Sequence, residues 1–276
     1  MKKTAITCIL GALALSFLAP SCSDTGAEHL SASFEATTAS AKYRLQNSAR
    51  EYGTEEDILY SESINVLMPV KLFGADVKGL RDSIVKLAFD TAGCSLPDAI
   101  DAYVARTVSQ YGYKVCDADS LPTDGTSPDG FTNITGAVVN LTPEILVYCV
   151  TTDEYRPRAA HGLSTNYYLN FDIKGSRVLT FAEIFDSAKT DSLAAAIQTQ
   201  ADALEQVLGP TTITALPAGN NFMLSPSGEI VFVYQPYEVA SFAQGAIRVS
   251  FYPYELSQFM TPAGAEFFNV SDLTQQ

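Results

Sequence analysis

Apolar and polar positions alternate along this chain with two distinct periods, and the changes of period mark its elements. From Asp57 to Phe73 the apolar side chains Ile58, Tyr60, Ile64, Val66 and Met68 recur mainly at even positions, which predicts an extended strand with Pro69 marking an edge or a bulge. The period then lengthens. From Gly79, Leu80, Ile84, Leu87 and Ala88 fall at helical spacing, closed by Gly93. A second helix is predicted from near Pro97, with Ile100, Tyr103, Val104, Thr107, Val108 and Tyr111 on one face and Gly112 as its stop. The Pro, Asp, Ser and Gly cluster of residues 117–130 predicts a loop long enough to be mobile or to bind.

Strand patterns dominate the rest. Thr135 to Val150 reads as two short β-rich runs joined in a hairpin around Leu141-Thr142-Pro143-Glu144. Leu163, Thr165, Tyr167, Leu169, Phe171 and Ile173 alternate with Ser164, Asn166, Tyr168, Asn170 and Asp172, predicting a strand with one buried face. A third helix is expected over Ser192 to Leu208, with Thr190 or Asp191 as N-cap and Gly209-Pro210 as the stop. Asn221 to Gln235 reads as a hairpin turning at Pro226-Ser227-Gly228, and Ala246 to Tyr252 as a further strand. The order of elements predicts an α+β fold: mostly antiparallel sheet, in one or more layers, with about three helices packed on one side, rather than alternating βαβ units.

The N-terminus follows neither period. Lys2 and Lys3 precede the mostly apolar stretch Thr4 to Leu18, then Ala19-Pro20-Ser21-Cys22, so residues 1–21 are expected to be a secretory signal. The cleavage region resembles a bacterial lipobox, with Pro20 and Ser21 where Ala and Gly are usual. This makes Cys22 the expected lipidation site, ordinary secretion with a free thiol being the alternative. The Ser/Ala/Thr-rich residues 22–55 are expected to be a tether. No later segment has the apolar length of a membrane span, so membrane contact is expected through the lipid anchor alone.

Composition sharpens this picture. With 47% hydrophobic and 17% charged residues the chain is that of a folded protein, and its formal charge of −14 argues against a nucleic-acid partner. Taking Lys2 and Lys3 away with the signal moves the charge to −16. After Cys8 and Cys22, three cysteines remain, Cys94, Cys116 and Cys149, which allow one disulfide at most. Cys94 and Cys116 flank a predicted helix and are the expected pair if one forms; three buried thiols acting as small hydrophobes are the alternative. Three cysteines without Cys-x-x-Cys spacing do not make a zinc signal, and with no phosphate loop in the sequence no cofactor is expected.

Three stretches together carry a resemblance. They are Arg158-Ala159-Ala160-His161-Gly162 before the alternating strand, Leu179-Thr180-Phe181-Ala182-Glu183-Ile184-Phe185 before the third helix, and Pro236-Tyr237-Glu238-Val239-Ala240-Ser241-Phe242-Ala243-Gln244-Gly245 with Val249 to Leu256. The chain resembles the RsiV-like extracytoplasmic domain of unknown function over residues 163–262, preceded by a stretch, 56–162, similar to the deacetylase-PdaC-type N-terminal domain, with 263–276 as a tail. Arg158-Ala159 replaces the Gly-Gly of typical members. The resemblance implies a domain displayed outside the cytoplasmic membrane. In the anti-sigma factor RsiV that domain binds lysozyme, and beside a polysaccharide deacetylase it is an accessory. This sequence shows neither a cytoplasmic anti-sigma segment nor a deacetylase catalytic domain, so neither activity transfers with the resemblance.

The candidate chemistry is sparse. His161 is the one catalytic candidate, with Asp153, Glu154 and Asp172 near it in sequence, but a structural ring bonded to backbone at a turn is the simpler explanation. Tyr237 and Glu238 are ligand-binding candidates, although loop hydrogen bonds to Glu238 with Tyr237 packed beneath would account for both. Five Asp-Ser/Thr-aliphatic triplets look like the pattern that Bacteroides-type bacteria O-glycosylate, and Ser120, in the long loop, is the candidate among them. The expected function is a binding or sensing lipoprotein of the cell envelope, on the periplasmic face or the outer surface of the outer membrane. Its expected ligand is a cationic protein such as lysozyme or a peptidoglycan or glycan fragment. A cell-wall or glycan-modifying enzyme using His161 and a structural partner in an envelope complex are the alternatives.

Overall fold

The computed structural model describes residues 7–11, 17–18, 31–46, 58–110, 114–115, 128–157 and 159–270. In chain order the elements are the strands β1 (Thr7–Gly11), β2 (Phe17–Leu18), β3 (Ser31–Gln46) and β4 (Ile58–Leu72) and the helices α1 (Lys78–Phe89) and α2 (Leu96–Gln110). Strands β5 (Lys114–Val115), β6 (Gly130–Leu141), β7 (Ile145–Tyr155), β8 (Leu163–Asp172) and β9 (Arg177–Leu179) follow, then helices α3 (Phe181–Ile184), α4 (Thr190–Ala203) and α5 (Glu205–Leu208). Strands β10 (Phe222–Leu224), β11 (Ile230–Tyr234) and β12 (Ile247–Phe251) and helix α6 (Pro262–Phe267) complete the fold. The larger sheet runs β1-β3-β4-β6-β7-β8-β9, with β2 and β5 also on β3, and a separate three-stranded sheet runs β10-β11-β12. The fold is thus mixed α and β with a large, mostly antiparallel sheet.

The chain forms two compact units, residues 1–137 with 150–164 and residues 138–149 with 165–276. The first is built on β4. Its apolar even positions Tyr60, Ile64, Val66, Met68 and Leu72 are buried, as are Leu80, Ile84 and Phe89 of α1 and Ala99, Ile100 and Val104 of α2. β4 pairs antiparallel with β3 and parallel with β6, from Tyr60↔Gly130 to Val66↔Gly136, so α1 and α2 lie in a crossover between parallel strands. This crossover sits within a sheet that is otherwise mostly antiparallel, so the fold does not become one of alternating βαβ units. Gly130 begins β6 where a Cβ would lie 2.8 Å from the Tyr155 carbonyl oxygen and 2.8 Å from the Tyr60 ring, so only glycine fits. Pro69 sits where the β3–β4 register slips, between Ser33↔Lys71 and Phe34↔Pro69, and β4 is an interior strand, so this proline marks a bulge.

Helix ends explain two further differences. Helix α1 closes on Asp90 in a left-handed conformation (φ 48°), three residues before the expected Gly93, and the Arg106 guanidinium donates to the Phe89 carbonyl there (2.7 Å). Helix α2 opens on Ser95, whose hydroxyl accepts from the Asp98 N–H (3.3 Å) and donates to the Asp98 carboxylate (2.6 Å).

The expected tether holds the clearest correction: residues 31–46 are a sixteen-residue strand. Its buried positions are Ala32 and Phe34, then Thr37 and Ala39, so the buried parity changes between Phe34 and Thr37. Small side chains and a broken period hide it from a hydrophobicity pattern. β1 and β2, from the segment expected to be a signal peptide, pair antiparallel with β3.

In the second unit α4 packs Leu193, Ala194, Ile197 and Ala201 over the inner face of β10–β12, which supplies Phe222, Leu224, Ile230, Phe232, Tyr234, Ile247, Val249 and Phe251. Phe185, Phe222, Phe232 and Phe251 meet within this core with ring centroids 5.7 to 6.4 Å apart. The third helix starts earlier than expected, at Thr190 after Lys189, and breaks at Leu204 before α5. The hairpin tip 138–149 belongs to this unit because Val147 is part of its core, so the division is not a single cut at 162/163. The expected tail is also corrected: α6 starts at Pro262 behind Thr261, whose hydroxyl accepts from the Gly264 N–H (2.9 Å), and Ala265 and Val270 are buried. Gly264 lies so close to the backbone of Ile184 that a Cβ would stand 2.3 Å from its carbonyl oxygen.

Strand β8 does not bury one face as its alternation suggests. Asn170, from its polar positions, bonds the second sheet, where side-chain amides replace ladder bonds. Asn170, 2% exposed, donates to the Phe222 carbonyl and accepts from the Leu224 N–H, both at 2.9 Å. In return Asn221 accepts from the Tyr168 N–H (3.0 Å), and Gln235 accepts from the Asn166 N–H (2.9 Å) and donates to its carbonyl (2.6 Å). β9 covers only residues 170–172 of β8, and these amides satisfy backbone groups of the stretch it leaves.

Candidate functional site

His161 lies exposed at the turn before β8, its Nδ1 3.0 Å from the Gly162 carbonyl; Nδ1 therefore carries the proton in this contact. Two of the carboxylates near it in sequence have partners of their own. Glu154 accepts from Arg156 Nε at 2.9 Å, and Asp172 accepts from the Gly175 N–H at 2.8 Å with Arg177 Nε 3.5 Å away.

The loop after β11 is more organised. Gln235 to Glu238 form a β-turn closed by the Glu238 N–H donating to the Gln235 carbonyl (3.1 Å), with Pro236 in the second position and Tyr237 in the third at φ 72°. This is the arrangement of a type II turn, whose third residue is normally Gly or Asn because a Cβ is strained there. The Glu238 carboxylate clamps the turn, accepting from the Gln235 N–H (2.7 Å) and from the Ala218 N–H (2.5 Å). A second brace follows: the Gln244 side chain accepts from the Ser241 N–H (3.1 Å) and donates to the carbonyls of Leu208 (2.8 Å) and Pro210 (3.1 Å). The anticipated hydrogen bonds from loop amides to Glu238 are therefore present. Tyr237, however, is not packed beneath it: the ring is 61% exposed and stacks on Phe242 at 5.5 Å.

Glu238 also acts electrostatically on its neighbours. Burial pushes the Tyr234 and Tyr167 hydroxyls toward higher pKa, with the negative charge of Glu238 adding to the effect. Both stay neutral at physiological pH, and Tyr234 donates to the Ala215 carbonyl at 3.0 Å. The arrangement offers no nucleophile poised beside a base; it offers a fixed aromatic surface beside a fixed carboxylate.

Three exposed tyrosines stand out in the second unit: Tyr237, Tyr252 (47%) and Tyr254 (56%). In the sequence the last two belong only to the Val249 to Leu256 stretch of the resemblance. The signal that singles them out as a site is an aromatic pair flanking a proline, Tyr252-Pro253-Tyr254.

Among the cysteines, Cys149 is a buried thiol, its sulfur 3.8 Å from Asn166 Oδ1, and Cys94 is a partly exposed thiol. Cys116, Cys22 and Ser120 lie outside the described residues. Among the described residues no cluster of His, Cys, Asp and Glu is placed to hold a metal ion, and no helix is long and apolar enough to cross a membrane.

Known proteins share the fold. A crystal structure of a DUF3298 family member from Bacteroides fragilis covers 88% of this chain and 98% of its own, with a TM-score of 0.62 at 19% identity. A DUF3298 family protein from Pseudomonas aeruginosa covers 81% of this chain and 94% of its own, with a TM-score of 0.51 at 12% identity. At such identities the likeness is one of fold. No curated protein matches the chain. Residues 182–255, which lie wholly in the second unit and include the Tyr237 turn, match the family described as protein of unknown function (DUF3298), so the chain carries a DUF3298 domain there.

Proposed function

We propose that the protein is a non-catalytic capture module of the cell envelope, exported by residues 1–21 and held by lipid on Cys22, whose second unit binds a cationic protein. This extends the resemblance to the RsiV-like domain and to the accessory domain found beside PdaC-type deacetylases. The observation that supports it is Tyr237: an exposed ring in a strained turn position, braced on both sides by hydrogen bonds. Backbone strain of this kind persists only where the surroundings impose it, and it concentrates at binding sites. A rigid tyrosine is an efficient anchor because little side-chain freedom is lost on binding. Its π face attracts Arg and Lys side chains, and the chain's charge of −14 steers a basic partner over a longer range.

A C-type lysozyme is a suitable basic probe. Calorimetric titration of the protein should show association at low ionic strength that weakens as salt is raised, because screening shortens the range of attraction. Tyr237→Ala should weaken it at least about tenfold. Absence of association at low salt, or an unchanged affinity in Tyr237→Ala, overturns the reading.

A further inference from the structure

A second aromatic surface lies outside the Tyr237 turn. Tyr252 and Tyr254 stack with ring centroids 5.8 Å apart and planes within 6° of parallel, and both rings are about half exposed. Their backbone is fixed. The Tyr252 N–H donates to Glu255 Oε2 at 2.7 Å, Pro253 begins the 3-10 turn Pro253–Phe259, and the Ser257 hydroxyl donates to the Tyr254 carbonyl at 2.9 Å. β11 and β12 meet in the pair Ile230↔Phe251, so Glu229 and Tyr252, which flank that pair, are neighbours across the strands. Glu229 Oε2 accepts from the hydroxyls of Ser227 (2.5 Å) and Ser225 (3.4 Å), and Ser250 adds a third. The Ser227 hydroxyl foremost holds this carboxyl below the usual carboxylate range, so it is ionised at neutral pH.

We propose that Tyr252 and Tyr254, with Glu229 and its serines at their side, form a binding site for a neutral saccharide. A pyranose with equatorial hydroxyls presents a C–H face and a rim of hydroxyl groups. The tyrosine shelf covers the face, and the carboxylate accepts from hydroxyls on the rim with the strength of a charge-assisted hydrogen bond. The same carboxylate, on a chain of charge −14, repels acidic sugars and so selects neutral ones over them. Saccharide recognition here goes beyond cationic-protein capture and uses different residues, so either can fail without the other.

The test titrates the full chain with cellotetraose and with N-acetylchitotetraose, followed by calorimetry and by NMR of the tyrosine ring resonances. At least one neutral tetrasaccharide should bind at millimolar concentration or below, shifting the Tyr252 and Tyr254 rings. Tyr254→Ala should weaken it at least about tenfold and Glu229→Gln several-fold, and tetragalacturonate should bind at least about tenfold more weakly. The proposal is overturned if neither neutral probe binds up to about 10 mM, or if tetragalacturonate binds as tightly. It is overturned equally if Tyr254→Ala binds like the unmodified chain. Ring shifts confined to other tyrosines of the unmodified protein overturn it as well, whatever the folding of the variants.

Discussion

Replacing Tyr237 inverts the usual ranking of alanine and glycine. A non-glycine residue held at φ 72° carries a left-handed penalty of about 1–2 kcal/mol. The stack on Phe242 at 5.5 Å returns about 0.5–1.5 kcal/mol, and with 61% of the residue exposed little other packing is at stake. Tyr237→Ala keeps the penalty and loses the stack, so it should cost about 0.5–1.5 kcal/mol. Tyr237→Gly loses the stack and adds about 0.4–1 kcal/mol of unfolded-chain freedom, but it removes the penalty. The glycine variant should therefore be more stable than the alanine variant by about 0.5–1 kcal/mol and lie within about 1 kcal/mol of the unmodified protein. Urea unfolding of the three proteins side by side measures this. Both variants should lose the cationic partner equally, because neither has a ring. An alanine variant as stable as the glycine one would show that the turn is unstrained and refute the reasoning that Tyr237 is kept there for binding.

Other consequences test the packing. Asn170→Leu leaves the Phe222 carbonyl and the Leu224 N–H buried without their amide partner and should cost about 2–4 kcal/mol in chemical denaturation. Gly264→Ala drives a Cβ into the Ile184 backbone and should lower the melting temperature by several degrees or more, whereas Ala263→Gly, at an exposed position, should have a far smaller effect. The Thr180 hydroxyl above all, with Arg177 adding its charge, holds the Glu183 carboxyl below its usual range. Its contribution is therefore present above the unfolded pKa of about 4.3 and lost as pH falls through the lower folded value. Glu183→Gln should be less stable than the unmodified protein at pH 7, and the difference should vanish on acidification in a series of melting curves. Tyr234 works in the opposite direction: burial raises its pKa, so its contribution is complete below about pH 10 and declines above it, and Tyr234→Phe should show a shallower alkaline fall in stability.

The elements legible in the sequence are those whose burial follows one period from end to end. Helices α1, α2 and α4 and strand β4 bury the apolar positions that their spacing picks out, because each lays a single face on its core. β3 was illegible because Ala32 and Thr37 fill the buried positions that large apolar residues would mark, and its buried parity changes between Phe34 and Thr37. Helix α6 was missed for another reason. Its signal is local, Thr261 as cap and Pro262 at the first helical position, and the six residues that follow are too few to show a period.

Strand β8 and the Tyr237 turn share a deeper cause. A polarity pattern assigns Asn170, Asn221 and Gln235 to solvent because it ranks side chains by transfer from water, yet all three are buried. Here the competing partner is an open strand edge, and an amide that satisfies backbone groups is more stable buried than hydrated. Glu238 follows the same logic, its carboxylate closing a turn by accepting from two backbone N–H groups. Polar residues that look like chemistry in the sequence are therefore structural, and they brace the strained position that holds Tyr237 in solvent. The sequence does carry one sign of this: Pro236 sets up a turn whose next residue should be Gly or Asn, and an aromatic stands there instead. Where local preference is broken and the surrounding hydrogen bonds enforce the break, the residue that breaks it is the one to test for binding.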